Sequence, residues 1–293
     1  MMDYHIPVLL QESIDGLQLK PDGIYVDATF GGGGHSREIL RTLKTGLLIA
    51  FDQDPDSKAS QIQDERFLFI RHNFRYLGNF LRYYGIEQID GLLADLGVSS
   101  HQIDSPERGF SYRFDAELDM RMNPGSGETA SDVLSNRSGP ELENIFRKYG
   151  ELPAASLLAS RIVAYREKRA LITVGNLTEA IGDALPKKFQ AGFLSKLFQA
   201  LRIEVNQELE CLEELLAQGT GWLKTEGRLV IISYHSLEDR MVKNFIRAGN
   251  AEGHVEKDLF GNFYTPLKAV NRNVIVPSEE EIRKNSRARS ARM

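Results

Sequence analysis

The sequence predicts a doubly wound, mostly parallel α/β sheet carrying an inserted, mostly helical subdomain. Three observations lead there. Short apolar runs alternate with helix-period stretches over the first hundred residues, that texture breaks near Ser105, and it resumes at about residue 200. Strand–helix–strand units at this spacing need right-handed crossovers, and so parallel strands. At 293 residues and 42% hydrophobic, the chain can bury one large core or two and is too apolar for a self-repelling coil.

The elements follow in order. IYVDA (24–28), GLLIAFD (46–52), FLFI (67–70) and IDGLLADLG (89–97) are apolar runs of the kind buried on both faces of a sheet. Ser36–Lys44, Asp56–Gln63 and Phe74–Tyr84 lie between them with helical texture. From Ser105, SPERGFSYRFDAELDMRMNPGSGETA is rich in turn residues and paired charges and holds no strand pattern. ELENIFRKYG, ASLLASRIVAYREKRA and VGNLTEAIGDAL then place apolar residues three and four apart, with Thr173 before Val174 and Asn176 before LTEAI as cap-type starts. The expected division is an α/β domain of residues 1–104 and 200–293 around a helical subdomain of 105–199. LRIEVNQELECLEELLAQG (201–219) reads as one amphipathic helix ending at Gly219. GRLVIIS (227–233) reads as a strand, and HSLEDRMVKNFIRAG (235–249) as a helix with a Ser236–Asp239 capping box. FYTPL (263–267) and NVIV (273–276) are candidates for antiparallel edge strands before a basic tail.

Several classes are excluded or disfavoured. No apolar run reaches the roughly 18–20 residues of a membrane span. The start, MMDYHIPVLL, lacks a basic n-region and a small-residue cleavage site, so a cytoplasmic protein is expected. Cys211 stands alone and can build neither an internal disulfide nor a zinc site, and no metal is expected. A net charge of −5 argues against a uniformly basic nucleic-acid binder.

Chemistry-bearing residues collect at strand ends. Asp27-Ala-Thr-Phe followed by Gly31, Gly32, Gly33, Gly34 and His35 leaves the first strand and opens a helix. Glycines there admit a ligand close to the backbone, and the helix N-terminus adds partial positive charge. Asp52 ends the second strand, where a carboxylate accepts hydrogen bonds from ribose hydroxyls. A dinucleotide such as NAD and S-adenosyl-L-methionine both fit. Asp27 disfavours a pyrophosphate and suits an ammonium or sulfonium, and the absence of GxxxxGK before Ser or Thr argues against a P-loop NTPase. Asp95 ends the fourth strand where substrate chemistry is expected, and Gly97, Ser99, Ser100 and Gln102 follow it. Tyr234 and His235 follow the strand at 227–233, where an aromatic can stack on a base and a histidine can hold or deprotonate a group.

In order, DATFGGGGHS, DQDP, DGLLADLGVSS, RGFSYRFDAELDMRM, FQALRIEVNQEL, ISYHSLEDRMVK and NSRARSA resemble the signatures of the RsmH (MraW) family, nearly end to end. The resemblance implies a class I Rossmann-like methyltransferase with a helical insertion for substrate recognition. It implies transfer from S-adenosyl-L-methionine to N4 of a cytidine in the decoding region of bacterial 16S rRNA. The family's cofactor contacts match Gly33, Gly34, His35, Asp52, Phe74, Asp95 and Gln102, to which Asp27 is added from its own chemistry. Asp95, Ser99, Ser100, Tyr234 and His235 are the expected catalytic set. Gly32 and His101 depart from the family pattern, and the end at SARM, where relatives continue into a strand, implies a short or missing last sheet edge.

Expected partners are 16S rRNA or the small ribosomal subunit, with no membrane; a homodimer is compatible. The charge divides accordingly. Residues 144–199 hold nine Lys/Arg against four Asp/Glu, and 282–293 hold five against none, so each segment is +5 and the other 225 residues carry −15. RNA is expected at these two basic segments, since phosphate binding follows local clusters. Two other readings compete: an RNA-binding assembly factor without catalysis, and a nicotinamide-dependent oxidoreductase.

Overall fold

A computed structural model describes residues 7–57, 62–182, 190–255, 257, 260 and 265–293. In chain order it begins α1 (Leu10–Leu17), β1 (Ile24–Asp27), α2 (Gly34–Thr42), β2 (Leu47–Phe51), β3 (Phe67–Ile70), α3 (Leu77–Tyr83) and β4 (Ile89–Asp95). Helices α4 (Ser100–Asp104), α5 (Ala130–Asn136), α6 (Gly139–Lys148), α7 (Ala155–Arg166), α8 (Val174–Ile181) and α9 (Gln190–Asn206) follow. The chain closes with α10 (Glu208–Trp222), β5 (Leu223–Ile232), α11 (Ser236–Ala248) and α12 (Glu279–Lys284). Part of the helix expected over 56–63 and part of FYTPL lie outside the described residues.

The sheet order is β3-β2-β1-β4-β5, and every pairing is parallel. Val26 pairs with Ile49 on one side and Leu92 on the other, and all three are fully buried. Both faces are covered, as continuous apolar strands require. On one face Leu77 and Leu81 of α3, Leu212, Leu215 and Leu216 of α10, and Phe245 of α11 pack against the sheet. On the other, Leu17 of α1 and Ile39 and Leu40 of α2 meet Leu48, Leu93 and Val230. This is the Rossmann-like arrangement, and its strand order reverses between β1 and β4. Ligands of such sheets bind outside the carboxyl ends at that reversal.

The chain divides into two compact units, one running to Gly97 and resuming at Leu209, the other spanning Val98–Glu208. The sequence had suggested 105 and 199. The later boundary follows from a break it did not signal: the helix expected over 201–219 is two helices, separated by Gln207 in the left-handed conformation at φ 50°. Gly219 is therefore not a cap. It lies inside α10, where a Cβ would come within 2.4 Å of Leu92 Cδ2, so glycine is required there by close helix–sheet packing.

Two further expectations are corrected. The N-cap of α11 is His235 rather than Ser236, and its partner is Glu238 rather than Asp239. NVIV forms no strand. Instead Ile275 exchanges two backbone hydrogen bonds of 3.0 Å with Met293, and Ser233 exchanges two of 2.9 Å with Arg292. The last residues thus continue antiparallel beside the carboxyl end of β5, with Ala288 and Ala291 buried against Val8, Leu9 and Ile232.

Within the second unit, Thr173 and Asn176 form the capping box that starts α8. The strandless segment after Ser105 is held by polar bonds. Arg108 is buried and donates through Nη2 to the carbonyls of Arg121 and Met122. Asn206 donates to the Met120 carbonyl and accepts from Met122 N–H at 2.7 Å. These bonds replace the ladder that its turn-rich sequence cannot form.

Candidate active site at the carboxyl edge of the sheet

The first unit gathers Asp27, the glycine loop, His35, Asp52, Phe74, Asp95, Tyr234 and His235 after the carboxyl ends of its strands. Both carboxylate oxygens of Asp27 are engaged. Oδ2 accepts from Ser36 Oγ at 2.6 Å and Oδ1 from Thr29 N–H at 3.1 Å, in a side chain 1% exposed. Asp27 therefore ties the loop to the start of α2. Asp52 accepts from Gly31 N–H at 2.8 Å through Oδ2 and from Asp54 N–H at 2.9 Å through Oδ1, which joins the glycine loop to the end of β2.

The loop itself is shaped by specific glycines. Gly33 has φ 74° and caps α2, and a Cβ there would lie 2.5 Å from the Phe30 ring. Gly34 faces Pro7, with a Cβ 2.0 Å from its ring. Gly32 differs, because a Cβ built on it meets nothing within 4 Å. The loop thus presents open space at Gly32, the residue after Gly31, whose N–H meets the Asp52 carboxylate. His35 is buried, and its Nε2 donates to the Val8 carbonyl at 3.1 Å. Burial lowers its pKa, so the ring is neutral and its side chain holds the loop to the N-terminal segment.

Asp95 supplies the group least committed to the fold. Its backbone N–H donates to Thr29 Oγ1 at 2.7 Å, which joins the end of β4 to the glycine loop. Tyr234 donates its hydroxyl to Oδ1 at 2.7 Å. Oδ2 has no hydrogen-bond partner among the described residues. Burial pushes the carboxyls of Asp27, Asp52 and Asp95 each up to about 6, partly offset by these hydrogen bonds. Burial and the neighbouring Asp95 charge together raise the pKa of Tyr234, so its phenol stays a donor.

His235 faces inward. Its Nδ1 accepts from Glu238 N–H at 3.4 Å, and Nε2 lies 3.2 Å from Glu238 Oε1. Glu238, 3% exposed, also accepts from Tyr234 N–H at 2.8 Å. Phe74 begins the turn after β3 and packs half-buried against the sheet core. Ser99, Ser100 and Gln102 belong to the second unit, where they start α4. Ser99 N–H donates to Gln102 Oε1 at 2.9 Å and Gln102 N–H to Ser99 Oγ at 3.2 Å, a reciprocal capping box. Thr29, Ser36 and Glu238 were missed by the sequence reading. Only Glu238 carried a signal, as the acid three residues past a helix start.

Residues 2–293 match the MraW methylase family. The chain belongs to that family. It is therefore a methyltransferase. Among its relatives, the ribosomal RNA small subunit methyltransferase H of Phocaeicola vulgatus is 55% identical over 291 residues, covering 99% of this chain and 96% of the relative. The protein of the same name from Bacteroides thetaiotaomicron is 55% identical over 293 residues, covering 100% and 96%. That from Flavobacterium johnsoniae is 53% identical, covering 100% and 97%. Methylases of this kind take the methyl group from S-adenosyl-L-methionine in general. The open space over Gly32, together with the acceptor carboxylate of Asp52 directly after β2 that Gly31 meets, fits a ribose-bearing ligand of that sort.

Proposed function

We propose that the protein transfers a methyl group from S-adenosyl-L-methionine to the exocyclic N4 of one cytidine in the decoding region of 16S rRNA. The names of the relatives support the rRNA substrate. The observation that carries the chemistry is the unpartnered Oδ2 of Asp95 at the strand-order reversal, beside a glycine loop tied to Asp27 and Asp52.

The bound cofactor supplies an electrophilic methyl on a sulfonium. Gly33, Gly34 and His35 would hold it through the loop backbone, and Asp52 would accept from the ribose hydroxyls. Phe74 and Gln102 complete the contacts. Asp27 fixes the loop through Thr29 and Ser36 and would supply negative charge suited to a sulfonium. The cytosine amine is conjugated into its ring and is a poor nucleophile, so the protein contributes orientation and a proton acceptor. Asp95 Oδ2 would accept from N4–H, align the nitrogen lone pair, and take the proton that N4 releases when it gains the methyl group given up by the sulfur. A carboxyl held near 6 is ionised at neutral pH yet basic enough for that task. Tyr234 fixes the carboxylate through Oδ1, and its ring, with His235, lines the base pocket. Ser99 and Ser100 follow Gly97 in the loop that cradles the amine.

The partner is 16S rRNA or the small ribosomal subunit, and the compartment is the cytoplasm. No helix among the described residues is long and apolar enough to cross a membrane. Residues 98–208 form the substrate-recognition unit, with the basic segments 144–199 and 282–293 as RNA contacts. A strain lacking the gene should lose one N4-methylcytidine from 16S rRNA, regained with the wild-type gene and not with Asp95→Ala. Retention of that nucleoside in the deletion strain would refute the proposal.

A further inference from the structure

The stretch from Arg71 to Tyr84 combines cations and exposed aromatic rings in an otherwise acidic N-terminal third of the chain. It holds Arg71, Arg75 and Arg82 and no acid. The rest of residues 1–97 carry six Lys/Arg against fourteen Asp/Glu. Tyr76, Tyr83 and Tyr84 are exposed, Tyr83 to 81%. Single exposed apolar residues are ordinary on protein surfaces, but three tyrosines and a histidine within thirteen residues are a patch.

The rings are arranged rather than scattered. His72 stands edge-on to Tyr76 with centroids 4.6 Å apart, and 5.4 Å from Phe80. Tyr83 ends α3 seven residues beyond Tyr76, which caps its start, a rise of roughly 10 Å. It stands edge-on to Tyr84 at 5.1 Å. Arg82 lies 6.0 Å from the centre of the Trp222 ring. Arg75 is committed to Glu214, which leaves Arg71 and Arg82 as the cations nearest solvent. Arg71 and His72 directly follow β3, so the patch starts on the same carboxyl edge that carries the glycine loop. Two strand spacings, roughly 10 Å, separate β3 from β1.

We infer that this face is a docking surface for a single-stranded segment of the rRNA substrate, its bases stacking on Tyr76 and Tyr83 and its phosphates meeting Arg71 and Arg82. The inference rests on the RNA substrate proposed above. Exposed rings interleaved with cations are what unpaired nucleotides recognise, because every base offers a stacking face. A second copy of this chain is the weaker occupant. A two-fold interface would set Arg71 and Arg82 against their own copies, with no acid in residues 71–84 to meet them and Glu214 already paired with Arg75.

The test uses the full-length protein, an in-vitro transcript of 16S rRNA, and sedimentation of the protein alone. Tyr76→Ala with Tyr83→Ala should weaken rRNA binding roughly thirtyfold, and the paired Phe substitutions should restore most of it. Arg71→Ala with Arg82→Ala should lower the salt dependence of binding by about 1.4 in slope. Cofactor affinity should be unchanged in all of them, and the rRNA KM should rise with kcat preserved. Unchanged rRNA affinity and salt slope would overturn the inference. So would a change of oligomeric state in the tyrosine variant with rRNA affinity intact, which would assign the patch to a second copy. A wild-type protein that binds the transcript and transfers no methyl to subunits would refute the proposed function instead, leaving the binding comparison to decide on the patch.

Discussion

Asp95→Asn should make the protein more stable while removing its activity. Burial raises the Asp95 carboxyl from 3.8 to about 6, so the fold disfavours the ionised side chain. That difference corresponds to about 3 kcal/mol when the group is ionised in both folded and unfolded chains. Asparagine keeps an oxygen to accept from the Tyr234 hydroxyl and carries no charge to desolvate. The gain therefore depends on pH in a defined direction. Well below pH 4 the wild-type carboxyl is protonated whether folded or not, and the variant gains nothing. As pH rises the unfolded chain ionises first, so roughly half of the gain is present at pH 5 and all of it, on the order of 3 kcal/mol, above pH 7. Urea unfolding of both proteins without cofactor, at pH 4, 5 and 7.5, measures this directly. Methyl transfer to subunits should fall at least a hundredfold, because an amide cannot take the N4 proton. A variant no more stable than wild type at pH 7.5, or one whose advantage is independent of pH, would refute this account of Asp95.

Other substitutions test neighbouring parts of the site. Tyr234→Phe removes the hydrogen bond that lowers the Asp95 pKa, so the acid limb of the pH–rate profile should move to higher pH with roughly tenfold lower turnover; an unmoved limb would separate Tyr234 from Asp95. Gly32→Ala should leave unfolding unchanged and weaken S-adenosyl-L-methionine in calorimetry, since its Cβ enters only the open space over the loop. Gly33→Ala should instead lower stability by about 2 kcal/mol, from its φ of 74° and the Phe30 contact; equal stabilities would contradict the loop geometry. S-adenosyl-L-methionine should bind more weakly as pH falls through about 6, where Asp27, Asp52 and Asp95 take up protons, and more steeply so than S-adenosylhomocysteine, which lacks the sulfonium.

The sheet was legible because its strands are short apolar runs between helix-period segments, and a parallel order buries both faces. The helix break at Gln207 was not, because neither glycine nor proline marks it and a glutamine adopts φ 50° there. The cap of α11 shifted by one residue for a similar reason. His235 substitutes for the usual Ser or Asp, and only the placement of Glu238 reveals it. Asp27, Asp52, Asp95 and Tyr234 could be located because ligand chemistry in this fold gathers at strand ends. That Asp27 has both oxygens engaged by Thr29 and Ser36 while Asp95 meets only Tyr234, through Oδ1, could not be read from spacing along the chain.

The central claim is the atom that receives the methyl group. Small subunits from the deletion strain, incubated with the purified protein and isotope-labelled S-adenosyl-L-methionine, can be digested to nucleosides and analysed by mass spectrometry. The account predicts one labelled N4-methylcytidine per subunit, within the decoding region, and none with Asp95→Asn. Label on C5 or a ring nitrogen, or full labelling by Asp95→Asn, would contradict it.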